Sequence, residues 1–188
     1  MLTLALSPVF AATACSGDDG PADPGSPATS GGAHGVEEVA TKATIGKVTG
    51  RLAPARRKTL RANVKTLVDH YLDAAYVSGD YPRSEFADAF PGFTKGAESD
   101  ARKDRSLMSN AAIGQHIDGV EARHRRLRID VLAVRKKAVG VTARFVLDFD
   151  TSGERKLSER VKGLLYMTWQ HHGGWKVFGY DVSRGVRR

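Results

Sequence analysis

An alternating pattern of apolar and polar residues in the C-terminal part of the chain limits its possible folds more than any other feature. Over residues 127–133 and 139–149 every second side chain is apolar. Period-two alternation places successive side chains on opposite faces of a β-strand, so one face is buried and the other meets solvent. The side chains expected on the inner face are Leu127, Ile129, Val131, Ala133, Val139, Val141, Ala143, Phe145, Leu147 and Phe149.

Short turn signals separate these strands from each other and from two more. They lie at residues 135–138, at 151–153 and at His171–Gly174, and the strands that they bound include 157–170 and 175–182. Short connections join antiparallel neighbours, because a parallel pair needs a long crossover. We therefore expect an antiparallel sheet with the twist that strands normally adopt.

Helical periodicity precedes the alternating part. Over residues 56–77 the apolar side chains recur at helical spacing, and shorter helices are predicted over 83–90 and 94–108. The apolar positions of the first helix are Leu60, Val64, Leu67, Val68, Tyr71, Leu72 and Ala75. The predicted fold class is α+β, with N-terminal helices packed on a curved antiparallel sheet.

This order of elements, with a last strand that begins Gly-Trp-Lys-Val at Gly174, resembles the nuclear transport factor 2-like fold over about residues 56–183. In that fold a curved sheet wraps helices to form a cone with a pocket. Within the superfamily the chain is most similar to the domains of bacterial cell-envelope lipoproteins and of mammalian-cell-entry-associated envelope proteins. The resemblance implies an architecture and a cellular address rather than an activity.

Cys15 is the only cysteine, and it directly follows the apolar run Leu2–Ala14. That run is shorter than the roughly 20 apolar residues that a membrane-spanning helix needs. The sequence Ala12-Thr13-Ala14-Cys15 resembles a lipobox, in which a bacterial signal peptide is cut before a cysteine that receives a diacylglycerol. We expect a signal peptide over residues 1–14 and a lipid anchor on Cys15 that holds the chain on the outer face of the cell membrane. The alternative is that Cys15 is an ordinary residue of an apolar N-terminal arm.

The segment after Cys15 is rich in Gly, Ser, Pro and Asp. Such a composition buries too little apolar surface to offset the entropy of ordering, so residues 15–50 are predicted to be a flexible tether and 51–188 a single domain. Two lysines and five acidic residues stand among residues 1–50, so residues 51–188 carry a formal charge of +11 in a chain of +8. A domain of this sign attracts polyanions.

Basic side chains at the outward positions of the predicted strands form a candidate interaction surface: Arg126, Arg128, Arg144, Arg160 and Lys162. Outside a cell membrane the partners of such a surface are an anionic lipid, an acidic wall polymer or another envelope protein. The alternative is a basic face that is merely solvated. Nucleic acid is not expected as a partner, because the basic runs 123–128 and 184–188 lack interleaved aromatic residues and a known motif.

Some proteins with the nuclear transport factor 2-like fold are cofactor-independent isomerases, cyclases or dehydratases, with titratable groups facing into the cone. The inner positions of the first two strands carry no acid or base, and Asp130, Asp148 and Asp150 are expected on the solvent side. Tyr166 is the first catalytic candidate, provided that its strand turns the even-numbered face inward. We expect a binding or scaffold module with no cofactor or metal. An enzyme that uses the cone is the alternative, and a homodimer formed through the sheet is a further possibility.

Overall fold

A mixed five-stranded sheet is the framework of residues 39–187, the part of the chain that the computed structural model describes. Its strands are β1 (Lys42–Thr49), β2 (Gly119–Val134), β3 (Lys137–Ser152), β4 (Ser158–Gln170) and β5 (Gly174–Val186), in that spatial order. Strands β2 to β5 form an antiparallel meander, which confirms this part of the prediction, whereas β1 pairs parallel with β2. The fold class is therefore α+β, and the sheet is mixed rather than wholly antiparallel.

Strand β1 lies inside the segment predicted to be a tether, and that prediction is wrong for residues 42–49. Lys42 pairs with Arg126 and Ile45 with Ile129, so β1 continues the alternation of β2. Ala43 and Ile45 pack against the core, and Lys42 lies on the other side of the sheet. The composition of this stretch concealed the strand, because its apolar residues are few and small. Residues 1–38 and residue 188, which include Cys15 and the predicted signal peptide, lie outside the described residues.

The helices lie between β1 and β2 in the sequence. Helix α1 (Pro54–Leu72) continues into a π-helical turn (Asp73–Val77), which confirms the predicted helix over 56–77. It begins with Pro54, whose fixed φ suits the first turn of a helix. The predicted helix over 94–108 is divided at Asp104 into α2 (Lys95–Lys103) and α3 (Arg105–Met108).

The predicted helix over 83–90 is wrong, because this segment forms turns. The Arg83 guanidinium donates hydrogen bonds of 2.7 Å to the Ser78 carbonyl and 3.1 Å to the Ala74 carbonyl. It also stacks on the Phe86 ring, with 3.8 Å between the guanidinium carbon and the ring centroid. These contacts tie the segment to the end of the π-helical turn, and Phe86 is buried without a helix to place it.

The core lies between α1, the π-helical turn and one face of the sheet, which we call the inner face. The inner residues predicted on β2 and β3 are buried, with the exception of Val139, which is 41% exposed. Leu132 pairs with Gly140 and Ala133 with Ala138, so Val139 is the extra residue of a β-bulge. The opposite face of the sheet, the outer face, carries the exposed side chains of Arg126, Arg128 and Leu132.

Candidate functional site

A shallow groove on the outer face of the sheet collects six basic side chains. Its volume is about 420 Å³. The basic groove is lined by Lys42 of β1, Arg126 and Arg128 of β2, Arg144 of β3, and Arg160 and Lys162 of β4, together with Thr44, Leu127 and Val146. No carboxylate is among these lining residues. The structure thus brings together all five basic residues predicted from the sequence, and adds Lys42 from the strand that the sequence did not predict.

Strand register explains why the cations converge. Arg128 lies directly opposite Arg144, and Lys42 lies directly opposite Arg126. On its other side Arg126 lies opposite Val146 of β3, and Val146 lies opposite Lys162 of β4. Neighbouring strands are about 4.8 Å apart, and like charges directly opposite each other destabilise a sheet. The arrangement therefore opposes the stability of the free domain.

Two of the six cations have carboxylate neighbours. Arg160 donates two hydrogen bonds to Asp148, of 2.7 and 2.9 Å, and Arg128 Nε lies 3.6 Å from Asp130 Oδ1. Within residues 39–187 the other four cations form no ion pair. These are Lys42, Arg126, Arg144 and Lys162. Among residues 39–187 the positive charge of the basic groove is therefore largely uncompensated.

Asp148 was expected to be a solvent-facing charge, and this expectation is wrong. It lies on the outer face, as its position in β3 indicates, but only 5% of the residue is exposed. The hydrogen bonds from Arg160 hold the pKa of the Asp148 carboxyl below its ordinary value, although burial acts in the opposite direction. Asp148 is thus an ionised partner that fixes Arg160 at one end of the basic groove.

Tyr166 does not face the interior of the domain, so the condition for a catalytic role in a cone is not met. Its neighbours in β4, Leu165 and Met167, are the buried ones, and Tyr166 points to the outer face. The Tyr166 and Phe178 rings lie 6.4 Å apart, and both line a second outer-face cavity of about 290 Å³. Tyr166 therefore shares a face with the basic groove.

The inner face is packed by the domain's own aromatic side chains. Tyr71 is fully buried, with ring centroids 5.2 Å from Phe93 and 6.2 Å from Phe145. Its hydroxyl donates to the Met108 carbonyl at 3.2 Å, and that of Tyr76 donates to the Leu107 carbonyl at 2.8 Å. Burial raises the pKa of both phenols. Tyr71 was predicted as an apolar position of the first helix, and its hydroxyl is enclosed and occupied by these contacts.

The buried Arg125 forms an ion pair with Asp73, whose side chain is 26% exposed, and sequence reasoning missed this pair. Arg125 is 3% exposed, and its Nη2 donates to Asp73 Oδ1 at 2.5 Å, while its Nε is buried without a hydrogen-bond partner in the structure. Arg125 was assigned to a basic run on the surface. The sequence did contain a sign of this burial. Arg125 stands two residues before Leu127 and four before Ile129, so in a β-strand its side chain lies on the same inner face as theirs.

No protein-family model, curated protein or solved structure matches the chain. None of the helices described is long and apolar enough to cross a membrane. In residues 39–187 no group of three or more His, Cys, Asp or Glu side chains is placed to hold a metal ion. The structure defines an α+β protein on one mixed sheet, whose helices cover the inner face and whose outer face carries the basic groove.

Removing the carboxylate that pairs with the buried Arg125 should destabilise the domain strongly. Asp73→Ala leaves the Arg125 charge buried and unpaired, and we expect the free energy of unfolding to fall by about 3 kcal/mol. Denaturation in urea, followed by tryptophan fluorescence, measures this change. The double variant D73A/R125M should recover most of the loss.

The matched control is Asp100→Ala, which breaks the exposed ion pair between Asp100 and Lys103. Exposed pairs of this kind contribute little, so the change should stay below about 0.5 kcal/mol. Equal effects of D73A and D100A would show that the Arg125 charge is not buried in solution.

Proposed function

We propose that the chain is a lipid-anchored protein of the bacterial cell envelope, and that its folded domain binds an anionic partner through the basic groove. The observation that carries the proposal is the convergence of six cations, four of them without a counter-ion among the described residues. An anionic ligand would relieve the repulsion between Arg128 and Arg144 and would supply negative charge that residues 39–187 do not place at the groove.

The proposed localisation at the cell membrane is based on the sequence around Cys15. A diacylglycerol on this cysteine would attach the chain firmly to a membrane, since two acyl chains give stable anchoring where one is marginal. Outside the membrane the abundant polyanions are lipid headgroups and acidic wall polymers. The basic groove is complementary to either, and an acidic surface of another envelope protein is the remaining partner of this chemistry.

The nuclear transport factor 2-like fold is part of the same proposal. Helices on one face of a four-stranded antiparallel meander are consistent with that architecture, and β1 adds a parallel strand at one edge. A catalytic cone would need an open cavity with a titratable group at its floor. The buried aromatic cluster around Tyr71 and the outward position of Tyr166 favour a binding role over the isomerase, cyclase or dehydratase alternative.

Lipidation is tested by the mass of the mature N-terminus in the native membrane fraction. We expect the N-terminal peptide to begin at Cys15 and to carry a diacylglycerol. The variant Cys15→Ser should lose both the cleavage and the lipid modification. An unmodified chain that begins at Met1 and stays in the soluble fraction would contradict the proposed address.

Anion binding is tested with the unlipidated full-length variant C15S and labelled inorganic polyphosphate, followed by fluorescence anisotropy. Replacing Arg126, Arg144 and Lys162 with Gln removes three uncompensated cations, and we expect the affinity to fall at least about tenfold. Binding should also weaken as salt is added, because salt screens exposed charges.

The matched control replaces Lys58, Arg61 and Arg105 with Gln. These three cations are exposed on α1 and α3 and lie outside the basic groove, so this variant has the same net charge as the first. We expect it to bind polyphosphate nearly as well as the parent chain. Equal losses in the two variants would mean that only the net charge matters, and would refute a site at the basic groove.

A further inference from the structure

A second part of the outer face is apolar and exposed. Leu132 is 49% exposed and Phe178 is 56% exposed, and Tyr166 lies beside Phe178. These three side chains, which we call the apolar half, line the cavity of about 290 Å³ together with polar residues that include Lys47, Asp130 and Thr142. Single exposed apolar side chains are common on proteins, whereas a cluster beside a charged groove indicates an interaction surface.

The basic groove and the apolar half are contiguous on the same face. Arg128 and Leu132 are four residues apart in β2, which corresponds to about 13 Å along the strand. In the next outward-facing row of the sheet, Asp130 lies opposite Thr142, and Thr142 lies opposite Tyr166. The outer face is therefore amphipathic, with cations at one end and aromatic and aliphatic groups at the other.

We propose that this amphipathic face docks on the surface of an anionic lipid bilayer, with the basic groove on the headgroup phosphates and the apolar half inserted at the headgroup boundary. The inference rests on the proposed function and names the anionic partner. A bilayer offers a charged surface and an apolar layer beneath it, and aromatic side chains concentrate at this boundary. A hydrated polyanion would satisfy the cations but would leave Leu132 and Phe178 in water.

A second copy of the chain fits this face less well. A two-fold contact places a surface patch against its own copy. Here the contact would bury Arg126, Arg144 and Lys162 against other cations or against apolar groups, and both arrangements leave buried charge uncompensated. The charge of the outer face is thus complementary to an anionic membrane and not to itself.

The test uses the unlipidated full-length variant C15S in cosedimentation with vesicles of phosphatidylcholine, alone or mixed with phosphatidylglycerol. We expect binding to require phosphatidylglycerol. The variant R126Q/R144Q/K162Q should lose about fivefold in affinity for each cation, and so about a hundredfold in all. Phe178→Ser should weaken vesicle binding severalfold but leave polyphosphate binding unchanged.

Val186→Ser is the matched control, because Val186 is 74% exposed near the end of β5 and lines neither outer-face cavity. It should bind vesicles like the parent chain, and thermal unfolding confirms that each variant is folded.

If F178S and V186S bind vesicles equally, or if the chain binds polyphosphate but no vesicles, membrane docking is overturned while the proposed function stands. If the chain binds neither probe, both fail. A dimer that F178S dissociates in analytical ultracentrifugation would assign the face to self-association and overturn the inference.

Discussion

The contact between the buried aromatic cluster and the inner face of the sheet is the constraint on which the rest of the structure depends. Tyr71 lies at its centre and contacts rings from the π-helical turn, from the following loop and from β3. These rings fill the centre of the space between helices and sheet, and cavities of about 340 and 460 Å³ remain between α1 and the end of the sheet near Trp169 and Trp175. Because the inner face is used for packing, a functional surface must be sought on the outer face or at the edges of the domain.

The outer face carries an excess of positive charge that packing alone does not require. A merely solubilising face can mix charges of both signs, and mixed charges would cost the sheet less than rows of cations. Here Asp148 is buried and pairs with Arg160, and Asp130 lies near Arg128. The other four cations of the groove have no partner among the described residues. The free domain carries this repulsion, and an anionic ligand would remove it.

The alternation of apolar residues predicted β2 and β3 and their buried side chains, and the turn signals predicted β4, β5 and the antiparallel order of the four strands. It also placed the five predicted cations on one face, because the side chains of neighbouring strands lie in register. The same alternation predicted that Val139 lies on the inner face, and this is wrong, because a β-bulge at Val139 interrupts the two-residue repeat. Bulges depend on how two strands pair, and this information is not local to either strand.

Strand β1 and the Arg125–Asp73 pair could not be predicted from local composition. The residues of β1 are small and polar enough to resemble a linker, and the strand forms because β2 offers a free edge and a buried surface for Ala43 and Ile45. Arg125 is buried because its carboxylate partner comes from the π-helical turn 52 residues earlier. Both features are long-range contacts, and one of them supplies Lys42 to the basic groove.

The most direct test of the account is an NMR titration of the full-length C15S chain with inorganic polyphosphate. The backbone amide signals that shift most should belong to the strand segments that carry the six cations of the basic groove, in β1 to β4. The signals of α1, α2 and α3 should shift little. Shifts centred on the helices, or spread evenly over all exposed basic residues, would contradict the claim that the outer face of the sheet is the binding surface.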